Sequence, residues 1–394
     1  MDFVEGFGEI DSFVCEDCIG EDFLAAYCRA NPSSEACTYC QNTRQLVVTN
    51  ANGIVEKIYQ FFLAYYADVA SSGMPYDSGE AAFPHAIMST SEILFDALQE
   101  SSESFLEDVA SAIVDDPWVY CGDGGSWADV SESERKYNAW RSFSGKTKHQ
   151  SRYFFFQKED EGHFEPDSYE PREMLKVVSS DLQNLNLLAT VEFGRVLYRS
   201  RLCGADSYFQ TFSDLGPPSN EYASAGRMNP IGIAYGYFGF DKKTAVLEVA
   251  SSPPFNASVG EFSLKRDIKV LDLSRLADAI PSIFDIENRG LRESSIFLNY
   301  FVTEISKPFF SDGSHHIEYV PTQIFSEYLN HVYKTPDDES VDGIIYRSAA
   351  NDGGRNIVLF PPKDLWDKWD TTLQLDLTER IEFTNWNQLN IFIA

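Results

Sequence analysis

The segment from Gly226 to Glu248, GRMNPIGIAYGYFGFDKKTAVLE, carries three residue types whose combination can do chemistry. Arg227 ends a loop, Tyr237 falls on the strand predicted to follow, and Glu248 closes the next segment. An arginine can clamp phosphate oxygens with two parallel N–H donors, and a tyrosine ring can stack on another planar ring. A carboxylate can stabilise the positive charge that develops on a sugar when a glycosidic bond breaks. The trio suits a nucleotide carrying both a pyrophosphate and an N-glycosidic bond to a good leaving group. By residue type alone, the same three are also a surface arginine, a core tyrosine and a solvated glutamate at a strand end.

A second constellation is Cys15, Cys18, Cys37 and Cys40, spaced C-x2-C-x18-C-x2-C, with Cys28 in the intervening stretch. Two such pairs can each clasp one side of a tetrahedral ion, so the spacing predicts a closed, structural Zn2+ knuckle that does no chemistry of its own. Cys28 is either a spare ligand or part of the core, and Cys121 and Cys203 read as reduced thiols. Between Met1 and Cys40 the only base is Arg29, while acids recur at Asp2, Glu5, Glu9, Asp11, Glu16, Asp17, Glu21, Asp22 and Glu35. A knuckle of that charge fits a protein contact better than nucleic acid.

The elements that must position these residues follow from periodicity. From about residue 53 to 150 the chain reads as helices: Ile54, Ile58, Phe61, Phe62 and Tyr65 recur at helical spacing, as do Ile93, Leu94, Ala97 and Leu98, then Phe105, Leu106, Val109 and Ile113. Ser131 and Glu134 form a capping-box pattern ahead of Tyr137, Trp140, Arg141 and Phe143. Another helix is predicted from Pro171 through Leu175, Val178, Leu182 and Leu185 to Leu188. After about Val191 the texture turns to short β-rich runs, with strands predicted at 233–240, 245–249, 268–273, 343–347 and 357–360, helices at 297–305 and 322–332, and further strands at the C-terminus. His315 and His316 read as an exposed loop. The fold class is α+β, divided as a knuckle (1–45), a helical domain (46–190), a β-rich domain (191–365) and a strand-rich extension (366–394).

Composition narrows the function. Lys plus Arg is 31 against 61 for Asp plus Glu, a net charge of −30 spread over both halves, which argues against nucleic acid and anionic membrane as partners. Thirty Phe and 20 Tyr are far too many for a disordered acidic chain. The N-terminus lacks the cationic and apolar regions of a signal peptide, and no stretch reaches about 18 uninterrupted apolar residues, so a cytoplasmic protein is expected. No G-x-G-x-x-G follows a strand, so a dinucleotide would not be held as in a Rossmann oxidoreductase.

The segment around Arg227 resembles the signature of the RES domain, named for its Arg, Glu and Ser. Gly226, Arg227, Asn229, Pro230, Gly232, Tyr237 and Glu248 fall on its pattern, with Met228 where the family usually has Trp and Ala225 where it often has Gly. LYRSR at 197–201, YVPTQIFSEYLN at 319–330, DGIIYRSA at 342–349 and GGRNIVLF at 353–360 resemble its flanking motifs in the same order, covering roughly Phe193 to Phe360. The paired cysteines, the helices and WRSFSGKTKHQSRYFFF at 140–156 resemble the HEPN-like N-terminal domain that accompanies some RES domains. Seven residues separate Arg141 from His149, outside the R-x4-6-H spacing of HEPN ribonucleases, so His149 is expected to be a packing or interface residue.

The resemblance implies a mixed β core like that of ADP-ribosyltransferases, NAD+ as a consumed substrate, and a toxin-like enzyme of the bacterial cytoplasm. Such an enzyme would be restrained by an antitoxin or by its own N-terminal half, and could form a homo-oligomer. It further implies that Arg227 and Arg199 hold the pyrophosphate, Tyr237 positions the nicotinamide riboside, Glu248 stabilises the ribosyl cation and Ser348 hydrogen-bonds ribose or amide. Arg201, Asn229, Tyr319 and Gln323 would be further substrate contacts. Two alternatives share these residues: ADP-ribosyl transfer to a macromolecule, and a regulatory protein that binds NAD or ADP-ribose without turnover.

Overall fold

The structure is a computed structural model that describes residues 7–40, 46–76, 83–113, 117–122, 125–156, 169–170, 173–250, 252–278, 280–306, 315–362 and 368–393. Its contacts divide the chain into two units, Met1–Arg135 with Ile280–Ser294, and Lys136–Ala279 with Ser295–Ala394.

In the first unit β1 (Phe13–Cys15) pairs antiparallel with β2 (Val48–Asn50), and α1 (Glu16–Ile19) and α2 (Asp22–Ala30) fill the sequence between them. Glu21 starts α2 by accepting the Leu24 N–H at 2.8 Å. The predicted helices follow as α3 (Ala51–Tyr65), α4 (Thr90–Ala97) and α5 (Glu103–Ala112). Ile54, Ile58, Phe61, Phe62, Ile93, Leu94, Phe105 and Val109 form one buried core. A small antiparallel sheet departs from the all-helical expectation: β3 (Tyr66–Asp68), β4 (Ile87–Met88) and β5 (Trp118–Tyr120) pair in the order β3-β5-β4. Runs of two or three residues are too short to carry a period-two signal. Phe284 completes this core from far along the chain, its ring 5.0 Å from that of Phe61.

The second unit opens with α6 (Glu132–His149), whose Glu134 N–H donates to Ser131 Oγ at 3.2 Å, and α7 (Met174–Asn184). Pro171 lies outside the described residues. The sheet is built from β6 (Leu188–Val191), β7 (Val196–Cys203), β8 (Gly236–Gly239), β9 (Phe255–Leu264), β10 (Ile268–Asp272), β11 (Gly343–Arg347), β12 (Arg355–Leu359) and β13 (Leu373–Phe383). Its order is β13-β9-β7-β8-β12-β11-β10-β6, antiparallel except for the parallel β10–β11 pair. Alternate residues serve opposite faces: Ile344 and Val358 join Trp140, Phe143, Leu175, Val178, Phe301 and Phe325 on one side, while Ile345 and Ile357 join Leu197, Phe238, Phe262 and Trp369 on the other. The helices α8 (Phe212–Leu215), α9 (Lys242–Leu247), α10 (Arg289–Ser306), α11 (His315–Glu318), α12 (Val320–His331) and α13 (Trp386–Ile393) complete the set. Among the described residues no helix is long and apolar enough to cross a membrane.

Four expectations are corrected. The strand predicted at 245–249 is α9, because Asp241 caps it by accepting the Thr244 N–H at 2.7 Å and a short apolar run suits either state. The strand at 233–240 shrinks to β8 because loop side chains take the backbone groups a ladder would need. Asn229 Nδ2 donates to the Ile233 carbonyl, and the Ala234 N–H donates to Asn220 Oδ1. The C-terminal strands are β13 alone, followed by α13, and the loop expected at His315 opens α11. The helices α6 and α7, within the 46–190 stretch, bury their apolar stripes in the core of the sheet unit.

Candidate functional site

The sheet parts between β7 and β8. β7 runs beside β9 from Val196 opposite Ser263 to Cys203 opposite Asn256, but meets β8 only at Tyr198 opposite Gly239. In the opening lies a cavity of about 570 Å³ lined by Tyr198, Arg199, Ser200, Arg201, Tyr237, Phe238, Glu248, Tyr346 and Asn356, among others. Tyr346 faces Asn356 across β11–β12, and Asn356 faces Gly239 across β12–β8. Gly239 lets α9 approach this row, since a Cβ there would lie 2.9 Å from the Ala245 nitrogen.

The end of α9 delivers Glu248 to the cavity. This residue is exposed, yet its Oε1 accepts two short hydrogen bonds of 2.6 Å, from Ser348 Oγ and from Asn356 Nδ2. The backbone N–H groups of Ala350 and Asn351 each donate to Ser348 Oγ at 3.1 Å, which directs the serine proton to the carboxylate. Asn351 Nδ2 donates to Thr244 Oγ1 at 2.8 Å, and Thr244 Oγ1 donates to Asp241 Oδ2 at 2.7 Å. The cap of α9 and the Ser348 loop are thereby tied together around Glu248. Oε2 has no hydrogen bond among the described residues and is left for a ligand.

Tyr237 is held differently. Its hydroxyl donates to Asn229 Oδ1 at 2.8 Å and accepts the Met228 N–H at 3.1 Å. Asn229 is buried, and its Nδ2 donates to the carbonyls of Ser224, Pro230 and Ile233. From α12, Thr322 Oγ1 donates to the Arg227 carbonyl at 2.5 Å, and Gln323 Nε2 donates to those of Gly226 and Asn229 at 2.8 and 3.0 Å. Asn229 and Gln323, both expected to touch substrate, thus brace the 226–230 loop with their side-chain amides. Burial pushes the Tyr237 hydroxyl up, against the Met228 N–H and the Arg227 and Arg199 charges, with a smaller upward push from Tyr319 at the N-cap of α12. Tyr346 is also pushed up, by burial first and then by Glu248 and Tyr237, so both phenols are neutral donors at physiological pH.

Arg199 carries the cavity's unmet charge. Its Nη1 is buried with no hydrogen-bond partner, and the guanidinium carbon lies 6.0 Å from the Phe238 ring centroid. Burial, and then neighbouring Arg201, push it down to about 9, still a cation at neutral pH. Arg201 is lowered by burial, with Asp214 opposing, and reaches the Gly216 carbonyl at 3.3 Å. Two neighbouring guanidiniums with an idle buried donor have the chemistry to take an anion. Asn356 and Tyr346 were missed by sequence reading, although both lie inside motifs quoted there. The available signal was an asparagine next to the apolar run IVLF.

In the first unit Cys15, Cys18, Cys37 and Cys40 bring their four sulfurs within 4.8 Å of one another, with Cys15–Cys40 at 3.6 Å and Cys18–Cys37 at 3.9 Å. Thiolates about 2.3 Å from a central ion form a tetrahedron with edges of about 3.8 Å, so the set fits a bound metal. Burial pushes the Cys15 thiol up to about 11 and Cys18 higher, a penalty that a dication would reverse. Cys28 is no ligand: it is buried and points its thiol at the Val47 carbonyl, 3.3 Å away. Tyr39, between the last two cysteines, donates to Asp108 Oδ2 of α5 at 2.8 Å and docks the knuckle on the helices.

Fold and site together define an α+β protein in which a mixed sheet holds a carboxylate and two arginines in one cavity, and a second, mainly helical unit carries four cysteines whose spacing fits a metal ion. Residues 196–376 match the family described as the RES domain, and residues 30–161 match HEPN/RES N-terminal domain 1. The chain thus carries a HEPN/RES N-terminal domain followed by a RES domain. No curated protein and no solved structure gives a significant match.

Proposed function

We propose that this protein consumes NAD+ by breaking the bond between nicotinamide and ribose. The observation that carries the reading is Glu248, fixed at Oε1 and open at Oε2, in the same cavity as the unpartnered Nη1 of Arg199. The RES family is associated with NAD+-related toxin activity, which supports the choice of substrate. Arg199 and Arg201 take the pyrophosphate, with Arg227 beside Tyr237 and Tyr346 adding positive charge, and Tyr237 supports the nicotinamide riboside. As the C1′–N bond breaks, its electron pair leaves with nicotinamide and the Glu248 carboxylate stabilises the ribosyl cation. Water then adds through oxygen and releases a proton, giving ADP-ribose; phosphate adding through oxygen gives the 1-phosphate. Ser348 serves by holding Glu248. We assign Zn2+ to the four cysteines as a structural ion, because four thiolates close its coordination shell.

Incubation of the full chain with NAD+, with and without phosphate, tests this by chromatography of nicotinamide and its co-product. Glu248→Gln is expected to lower release by roughly 100-fold or more, the scale of removing one preorganised electrostatic group, while NAD+ still binds. An unchanged rate in that variant removes the mechanism. Appearance of ADP-ribose on protein in place of free ADP-ribose would identify a transferase.

A further inference from the structure

We propose that Asn356 is a positioning residue that fixes the Glu248 carboxylate through Oε1, so that Oε2 alone is presented to the cavity. The inference rests on the reading of Glu248 as the group that stabilises the ribosyl cation. Asn356 stands on β12, buried at 3% exposure, with its Nδ2 2.6 Å from Oε1. Glu248, by contrast, is exposed at the end of a six-residue helix, where a glutamate would ordinarily sample several rotamers. The Ser348 hydroxyl reaches the same oxygen from a loop, so Asn356 is the one donor of the pair that belongs to the sheet. An amide is suited to this task because it donates without adding charge and cannot take the carboxylate's proton. Its row neighbours are Gly239, which has no side chain to displace it, and Tyr346, so the asparagine is itself held in register.

Four full-length variants decide the matter: Asn356→Ala, Asn356→Asp, Glu248→Gln and the Asn356→Asp/Glu248→Gln pair, each measured for thermal midpoint and for kcat and KM of nicotinamide release from NAD+. Asn356→Ala is expected to lose roughly 10- to 100-fold in kcat, as when a supporting partner of a functional group is removed, with KM within about threefold of wild type. Asn356→Asp sets two carboxylates against each other and lowers the midpoint. The pair restores an amide–carboxylate contact with the roles exchanged, and its midpoint should rise above that of Asn356→Asp alone. Additive midpoint changes would show that the two side chains do not hold each other. Full kcat in Asn356→Ala beside a dead Glu248→Gln would show that the contact does not position the carboxylate. Either result overturns the proposal. A wild-type protein that releases no nicotinamide would instead remove the NAD+ reading, and the midpoint cycle would still decide whether Asn356 anchors Glu248.

Discussion

Arg199 departs from what stability alone would choose at a buried position on β7. A guanidinium with a buried, unpartnered Nη1 beside a second arginine carries a desolvation penalty that Tyr237 and the Phe238 ring face offset only in part. An anion between Arg199 and Arg201 would offset it. Inorganic diphosphate is therefore expected to raise the thermal midpoint of the wild-type protein. Arg199→Met, similar in length but uncharged, should unfold no earlier than wild type and lose most of the diphosphate effect. A variant markedly less stable than wild type would mean that the guanidinium is a structural group. Tyr237 is the converse case: its hydroxyl is fully engaged with Asn229 and Met228, so only its ring is left for a ligand.

The short helix α9 shows how a local signal sets the position of the site. Asp241 accepts both the Thr244 N–H and, at Oδ2, its hydroxyl, and through Asn351 the same residues reach the Ser348 loop. Asp241→Ala should cost about 1 kcal/mol for the lost cap, or about 2–4 °C in midpoint for a unit of this size. It should also lower nicotinamide release, because the end of α9 carries Glu248. Loss of stability with full activity would show that the cap does not position the carboxylate. The knuckle depends on its ligands in the same way. Elemental analysis is expected to find one zinc per chain, lost in Cys15→Ser. Chelation should lower the midpoint of the first unit, since Cys15 and Cys18 belong to its core. Retention of the metal in Cys15→Ser would refute the assignment.

At the level of the whole chain, the packing does not follow the order of the sequence. The sheet unit depends on Trp140, Phe143, Leu175, Val178 and Leu182 from α6 and α7, all of which precede residue 191. The first unit in turn takes Phe284 from within the RES-matched stretch, and there Ser282 Oγ donates to Glu21 Oε1 at 2.7 Å. A fragment of residues 191–394 should therefore lack a fixed core, bind ANS and show little near-ultraviolet dichroism, whereas one that begins at residue 132 retains α6 and α7. A cooperative, sharp unfolding transition in the 191–394 fragment would contradict this account. Release of the activity by cutting at residue 191 is for the same reason a poor measure of restraint by the N-terminal half.

The sequence by itself determined the α+β class, the helical stripes of α3, α4 and α5, the four-cysteine set, and the residue types gathered around Glu248. Each of these rests on local spacing: period 3.6, the C-x2-C pairs, or a short motif. Only the tertiary structure decided that Asn229 and Gln323 brace a loop, that Asn356 and Tyr346 line the cavity, and that 245–249 is helix. Those outcomes depend on which backbone groups are already taken and on partners about 100 residues apart, as Asn356 and Glu248 are. The sharing of cores across positions 136, 191 and 284 was likewise beyond periodicity, because an apolar stripe declares that it must be buried but not against what.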